Sequence, residues 1–100
     1  MLTYYVIYRN DEKNSPRGLF IMDTRRGGAL LWDHRQGAWS YDPALVVRFL
    51  DDYRNLDRYV SVPRSDAEGV VGEITGGEHL PEENALESMI EDGLQRGSGL

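Results

Sequence analysis

Residues 19–41 read LFIMDTRRGGALLWDHRQGAWSY, and this stretch decides the fold. Three short runs of aliphatic and aromatic residues, Leu19–Thr24, Ala29–His34 and Ala38–Tyr41, are separated by Arg25-Arg26-Gly27-Gly28 and by Arg35-Gln36-Gly37. Glycine reaches positive φ without a Cβ clash, so each separator can close a tight turn between antiparallel strands. Upstream, Thr3–Arg9 alternates and is rich in Tyr, Val and Ile. It reads as a strand with apolar residues on both faces, hence one that is central or well covered. Between them, Asn10–Gly18 has turn residues and nothing apolar, which predicts an exposed loop.

Downstream, Asp42-Pro43 starts a helix, with Asp as N-cap and Pro where its missing N–H costs nothing. Leu45, Val46, Phe49, Leu50 and Tyr53 share one face of a helix from Pro43 to about Asp52, and that face should cover the sheet with Phe49 at its centre. Arg58–Pro63 reads as a fifth strand. Ser65-Asp66-Ala67-Glu68 matches a capping box, predicting a second helix over Asp66–Ile74, weakened by Gly69 and Gly72 and stopped at Thr75-Gly76-Gly77. Pro81–Gln95 carries Leu86, Met89, Ile90 and Leu94 on one stripe, flanked by Glu83, Glu87 and Glu91. Gly97–Leu100 reads as a frayed tail. The expected fold is α+β, a four- to five-stranded antiparallel meander packed by two or three short helices.

One hundred residues suffice for one core, and 40% apolar with 28% charged residues lies near globular averages. Residues 1–79 form the expected α+β core domain. Residues 80–100, the acidic helix and tail, either complete that domain or bind a partner; the helix is expected to be separable from the main core. There is no cysteine, which excludes disulfides, thiolate metal sites and a cysteine nucleophile, and suits a reducing cytoplasm. The N-terminus lacks the pattern of an export signal, and no stretch approaches the ~20 apolar residues of a membrane span.

Charge is distributed unevenly. Residues 1–64 carry ten bases and eight acids, whereas residues 65–100 carry nine acids and the single base Arg96, within a net charge of −6. The C-terminal third is therefore an acidic surface suited to a cationic partner. Nucleic acid is not expected as a partner, because binding phosphate needs a concentrated positive surface.

Catalytic patterns are weak. Asp33 and His34 are neighbours on a strand and point to opposite faces, so they do not form a dyad readily. His34 and His79 make no recognisable metal spacing, no serine sits in G-x-S-x-G, and the glycines at 69, 72, 76 and 77 lack the form of a phosphate loop. Asp51-Asp52, Glu82-Glu83 and Glu91-Asp92 pair carboxylates in positions that solvated helix ends and faces already explain. No metal or cofactor is implied. The aromatic residues say more. Trp32, Trp39 and Tyr41 cluster on strands three and four, and exposed tryptophans there would anchor a protein interface, with Arg25, Arg26 and Arg35 rimming that end of the sheet.

The segments YYVIYRNDE, GLFIMD, GAWSYDPALVVRFLDD, DRY and RSDAEGVVGEITGG together resemble a group of short uncharacterised proteins encoded in actinobacterial genomes, over roughly residues 4–77. The resemblance implies a bacterial cytosolic protein whose acidic helix lies outside the shared part, and it carries over no site residue. Three functions follow as expectations. The first is a protein-interaction module, an immunity or antitoxin-type inhibitor of a basic partner, using Glu83, Glu87, Glu91 and Asp92. The second is a small ligand-binding protein or enzyme with a pocket between sheet and helices. The third is a homo-oligomer, such as a dimer formed through the C-terminal helix.

Overall fold

In the computed structural model, which describes residues 1–9, 13 and 15–98, one five-stranded antiparallel sheet in the order β4-β3-β2-β1-β5 carries helices on both faces. The strands are β1 (Leu2–Tyr8), β2 (Pro16–Asp23), β3 (Ala29–Asp33), β4 (Ala38–Tyr41) and β5 (Tyr59–Val62). The helices are α1 (Pro43–Asp51), α2 (Arg64–Thr75) and α3 (Glu83–Ser98), and a 3₁₀ segment, Tyr53–Arg58, joins α1 to β5. The fold is thus α+β as expected, with β1 inside the sheet between β2 and β5. The expected loop over 10–18 is shortened by β2, which begins at Pro16; Asn10, Asp11, Glu12 and Asn14 lie outside the described residues, as do Gly99 and Leu100. Helix α3 extends through Gly97 and Ser98, within the expected tail.

Register follows from the alternation. Tyr4 pairs with Ile21 and Val6 with Leu19 across β1 and β2, and Leu30 pairs with Tyr41 and Trp32 with Trp39 across β3 and β4. Side chains of one parity therefore share a face. Leu2, Tyr4, Val6, Leu19, Ile21, Leu30 and Trp32 meet α2 and α3, which contribute Ala67, Val71, Ile74, Leu86 and Ile90. Leu86 and Ile90 are fully buried, with Met89 and Leu94 packed beside them. The apolar stripe of α3 thus packs into the main core cluster. Two glycines allow its close approach. A Cβ on Gly93 would stand 2.2 Å from Cδ1 of Tyr41, and one on Gly28 would stand 2.5 Å from Cγ2 of Ile90.

Among the described residues, α1 is the helix that covers the opposite face. Ile7, Phe20, Ala29 and Val46 form its buried cluster, with Tyr5, Met22, Leu31, Phe49, Leu50 and Tyr59 partly covered around it. The centre of α1 is Val46 rather than Phe49, which is only half-buried, and Leu45 and Tyr53 are exposed. Tyr53 points away because the helix ends at Asp51 and the chain tightens into 3₁₀ geometry, whose three-residue turn breaks the expected stripe. Asp42 caps α1 by accepting from the Leu45 N–H at 3.1 Å, as its sequence position indicates. The capping box at Ser65–Glu68 is not used. Helix α2 starts at Arg64, its N-cap is Pro63, and Glu68 pairs with the Arg64 guanidinium at 3.1 Å.

Candidate interaction site

The two turns of the meander are built on one pattern, Asp-x-Arg-x-Gly, at Asp23–Gly27 and Asp33–Gly37. In each, the aspartate carboxylate accepts N–H bonds from the residues two and three positions on, at 2.9 and 3.2 Å, and the glycine takes positive φ. The glycine N–H returns to the aspartate carbonyl at 2.8 Å in both. Asp23 shares the face of Leu19 and Ile21, towards α2 and α3, whereas Asp33 shares the face of Leu31, on the α1 side. Asp23 is buried, and its second oxygen accepts from Arg26 Nε at 2.9 Å. Burial alone would raise its pKa, but the Arg26 side chain and the two backbone N–H groups outweigh that and hold the carboxyl below its usual 3.8. Arg26 also pairs with Glu91 of α3, so the first turn is latched to the acidic helix.

Successive turns of a meander lie at opposite ends of the sheet. Arg25 and Arg26 are therefore at one end and Arg35 at the other, and the three do not form a single rim. Asp33 and His34 do not cooperate either. The carboxylate is occupied with its turn, and His34 Nε2 lies 2.7 Å from the Arg17 carbonyl oxygen, an acceptor that fixes the proton on that nitrogen.

Trp32 and Trp39 stand opposite each other on β3 and β4, edge to face, with centroids 5.3 Å apart at 73°. Trp32 is buried and Trp39 half-buried. Next to them opens a cavity of about 410 Å³ completed by Pro81, Met89, Glu78 and His79. The connection that brings Glu78 and His79 there is held at both ends. Gly76 closes α2 in the left-handed region, and the Thr75 hydroxyl accepts from the Glu78 N–H at 2.9 Å. Beyond it, the Pro81 carbonyl accepts from Arg64 at 2.7 Å, while Arg64 also donates to the Tyr4 hydroxyl at 3.0 Å. His79, which the sequence offers only as a histidine without metal spacing, is exposed, but its loop folds back over the β3–β4 hairpin, and tertiary clamps of this kind leave no local signal. Tyr41, grouped with the tryptophans from sequence, instead packs on Gly93 and Gly28 beneath α3.

Residues 64–98 hold nine acids and two bases. Glu83 and Asp92 are exposed on α3, and Glu87 and Glu91 half-buried beside Arg26. Among the described residues no three His, Asp or Glu side chains converge as a metal site, and no helix is long and apolar enough to cross a membrane. Comparison with protein-family models, with curated proteins and with solved structures found no match to this chain.

Proposed function

We propose that the chain is a protein-interaction module of a bacterial cytoplasm, an inhibitor of the immunity or antitoxin type that covers a basic surface of its partner with the outer side of α2 and α3. One observation carries this reading. Leu86 and Ile90 of α3 are buried in the core, and the side chains that helix turns outward include the exposed Glu83 and Asp92 and the half-buried Glu87 and Glu91, with Arg96 as its one base. A surface with so few compensating cations attracts a positive partner over a Debye length and raises the association rate more than the final affinity. The burial of Leu86 and Ile90 favours this reading over a dimer formed through the same stripe, which would have to rely on the half-buried Met89 and Leu94.

The test is paired capture from cells that encode the protein, using the wild type and a Glu83→Lys/Glu87→Lys/Asp92→Lys variant. Wild type should retain a basic protein in stoichiometric amount, with an association rate that falls as salt rises, and the variant should lose it while keeping the wild-type fold. Identical retention by both would refute the acidic-face reading.

A further inference from the structure

We infer that the Trp32–Trp39 cavity receives the guanidinium of an arginine side chain, contributed by the basic partner; this deepens the preceding proposal and rests on it. The cavity has the size and apolar lining of a ligand site, with a few polar groups at its edge. Its aromatic wall is a pair of indoles set edge to face, and an indole face attracts a cation more strongly than any other side-chain ring. Glu78, an exposed residue, stands at its polar edge. A planar guanidinium satisfies both at once, stacking on a ring while its N–H groups reach a carboxylate, whereas a lysine ammonium is a compact, strongly hydrated charge.

Charge decides the class of occupant. Four of the eight lining residues, Glu78, His79, Pro81 and Met89, come from the segment that holds nine acids against two bases, and the hairpin opposite adds Arg35 at its turn, so the acids of that segment favour a cationic side chain over an anionic one. The site is also preorganised. The Thr75 and Arg64 hydrogen bonds fix the connection bearing Glu78 and His79, and the two tryptophans are locked in cross-strand register, so little ordering is left to be done on binding. A related contact is present among the described residues, where the Arg64 guanidinium lies 5.9 Å from the centroid of the Tyr4 ring while donating to its hydroxyl.

The chain contains only two tryptophans and both line the cavity, so tryptophan emission reports on this site. The probe is the blocked peptide acetyl-Gly-Arg-Gly-amide, titrated into the whole protein. Its controls are the same peptide with citrulline, a neutral isostere, and with lysine. The arginine peptide should change emission saturably and shift both indole N–H resonances, while the citrulline peptide binds about tenfold more weakly and lysine falls between. Glu78→Gln, at an exposed position, should weaken the arginine peptide without moving the denaturation midpoint. Equal response to arginine and citrulline, or indole resonances unmoved by the arginine peptide, would overturn the inference. Because the peptide titration needs no partner, it separates the two proposals. A captured basic protein with a silent cavity leaves the acidic face standing and removes the cavity's role. A responsive cavity with no captured partner does the reverse.

Discussion

On one side of the sheet, α2 and α3 lay Ala67, Val71, Ile74, Leu86 and Ile90 over Leu19, Ile21 and Leu30, and none of these is more than 5% exposed. On the other side, α1 brings one residue, Val46, to full burial and leaves Leu45 and Val47 in solvent, and the 3₁₀ segment after it leaves Tyr53 and Leu56 there too. Helix length explains much of the contrast. Nine residues of α-helix span about 14 Å, less than the ~19 Å across five strands, whereas α2 and α3 are about 18 and 24 Å long. The comparison teaches that the most acidic part of the chain is also the part that closes its core. Under the proposed function, stability and recognition would share one helix, α3, but not the same side of it.

The largest way to break the contrast is to end the chain at Gly77. Leu80, Leu86 and Ile90 would leave the core, each worth about 1.5–3 kcal/mol of burial, against a total stability of about 5–15 kcal/mol for a domain. The shortened chain should lose the near-ultraviolet circular dichroism of Trp32 and Trp39; a native spectrum would show that α3 is dispensable. Single truncations come next. Ile90→Ala should cost about 2–5 kcal/mol in chemical denaturation, while Phe49→Ala, being half-buried, should fall below the ~3–5 kcal/mol of a fully buried phenylalanine. Equal losses at the two positions would remove the asymmetry.

Glycines sharpen the comparison. Gly93→Ala puts a methyl group into the Tyr41 ring and should destabilise by about 1–3 kcal/mol. Gly72→Ala meets nothing within 4 Å on α2 and should stabilise by about 0.5–1 kcal/mol through helix propensity. Thermal melts of the two variants should move in opposite directions. The smallest difference tests the repeated turn. Asp23→Ala strips a buried acceptor of the Arg26 side chain and should cost about 1–3 kcal/mol, and Asp33→Ala, where water can replace the carboxylate, less than about 1 kcal/mol. The folded Asp23 carboxyl has a lowered pKa, so its contribution is present above the unfolded value near 3.8 and disappears as pH falls through the lower folded value. Wild type and Asp23→Ala should therefore converge in stability under strong acid, and a gap that widens on acidification would contradict the Asp23–Arg26 account.

Local chemistry was legible where the chain fixes it locally. Strand β4 has its expected bounds, Ala38–Tyr41, and α1 begins at Pro43 behind the Asp42 cap, because turn glycines and a capping carboxylate act within a few residues. The twin Asp-x-Arg-x-Gly turns were equally readable but show their kinship only when aligned with each other. Other features depend on distant contacts. Helix α2 begins at Arg64 because that side chain is held by Tyr4 and Pro81, 60 and 17 residues away, which no capping rule sees. The 3₁₀ segment at Tyr53–Arg58 has no buried residue and hence no apolar period to detect. Amphipathicity alone also cannot say whether the stripe of α3 meets its own sheet or another chain, and the tryptophan cavity exists only because a glycine-ended loop folds back over a hairpin.

The claim that α3 turns its apolar side into the core and its acids outward is tested most directly by native-state hydrogen exchange. The Ile90 amide of α3 should exchange as slowly as those of Val6 and Ile21 in the central strands, through global unfolding, while the Phe49 amide of α1 exchanges faster through local opening. Exchange at Ile90 faster than at Phe49 would mean that the acidic helix opens independently of the core, contradicting the account.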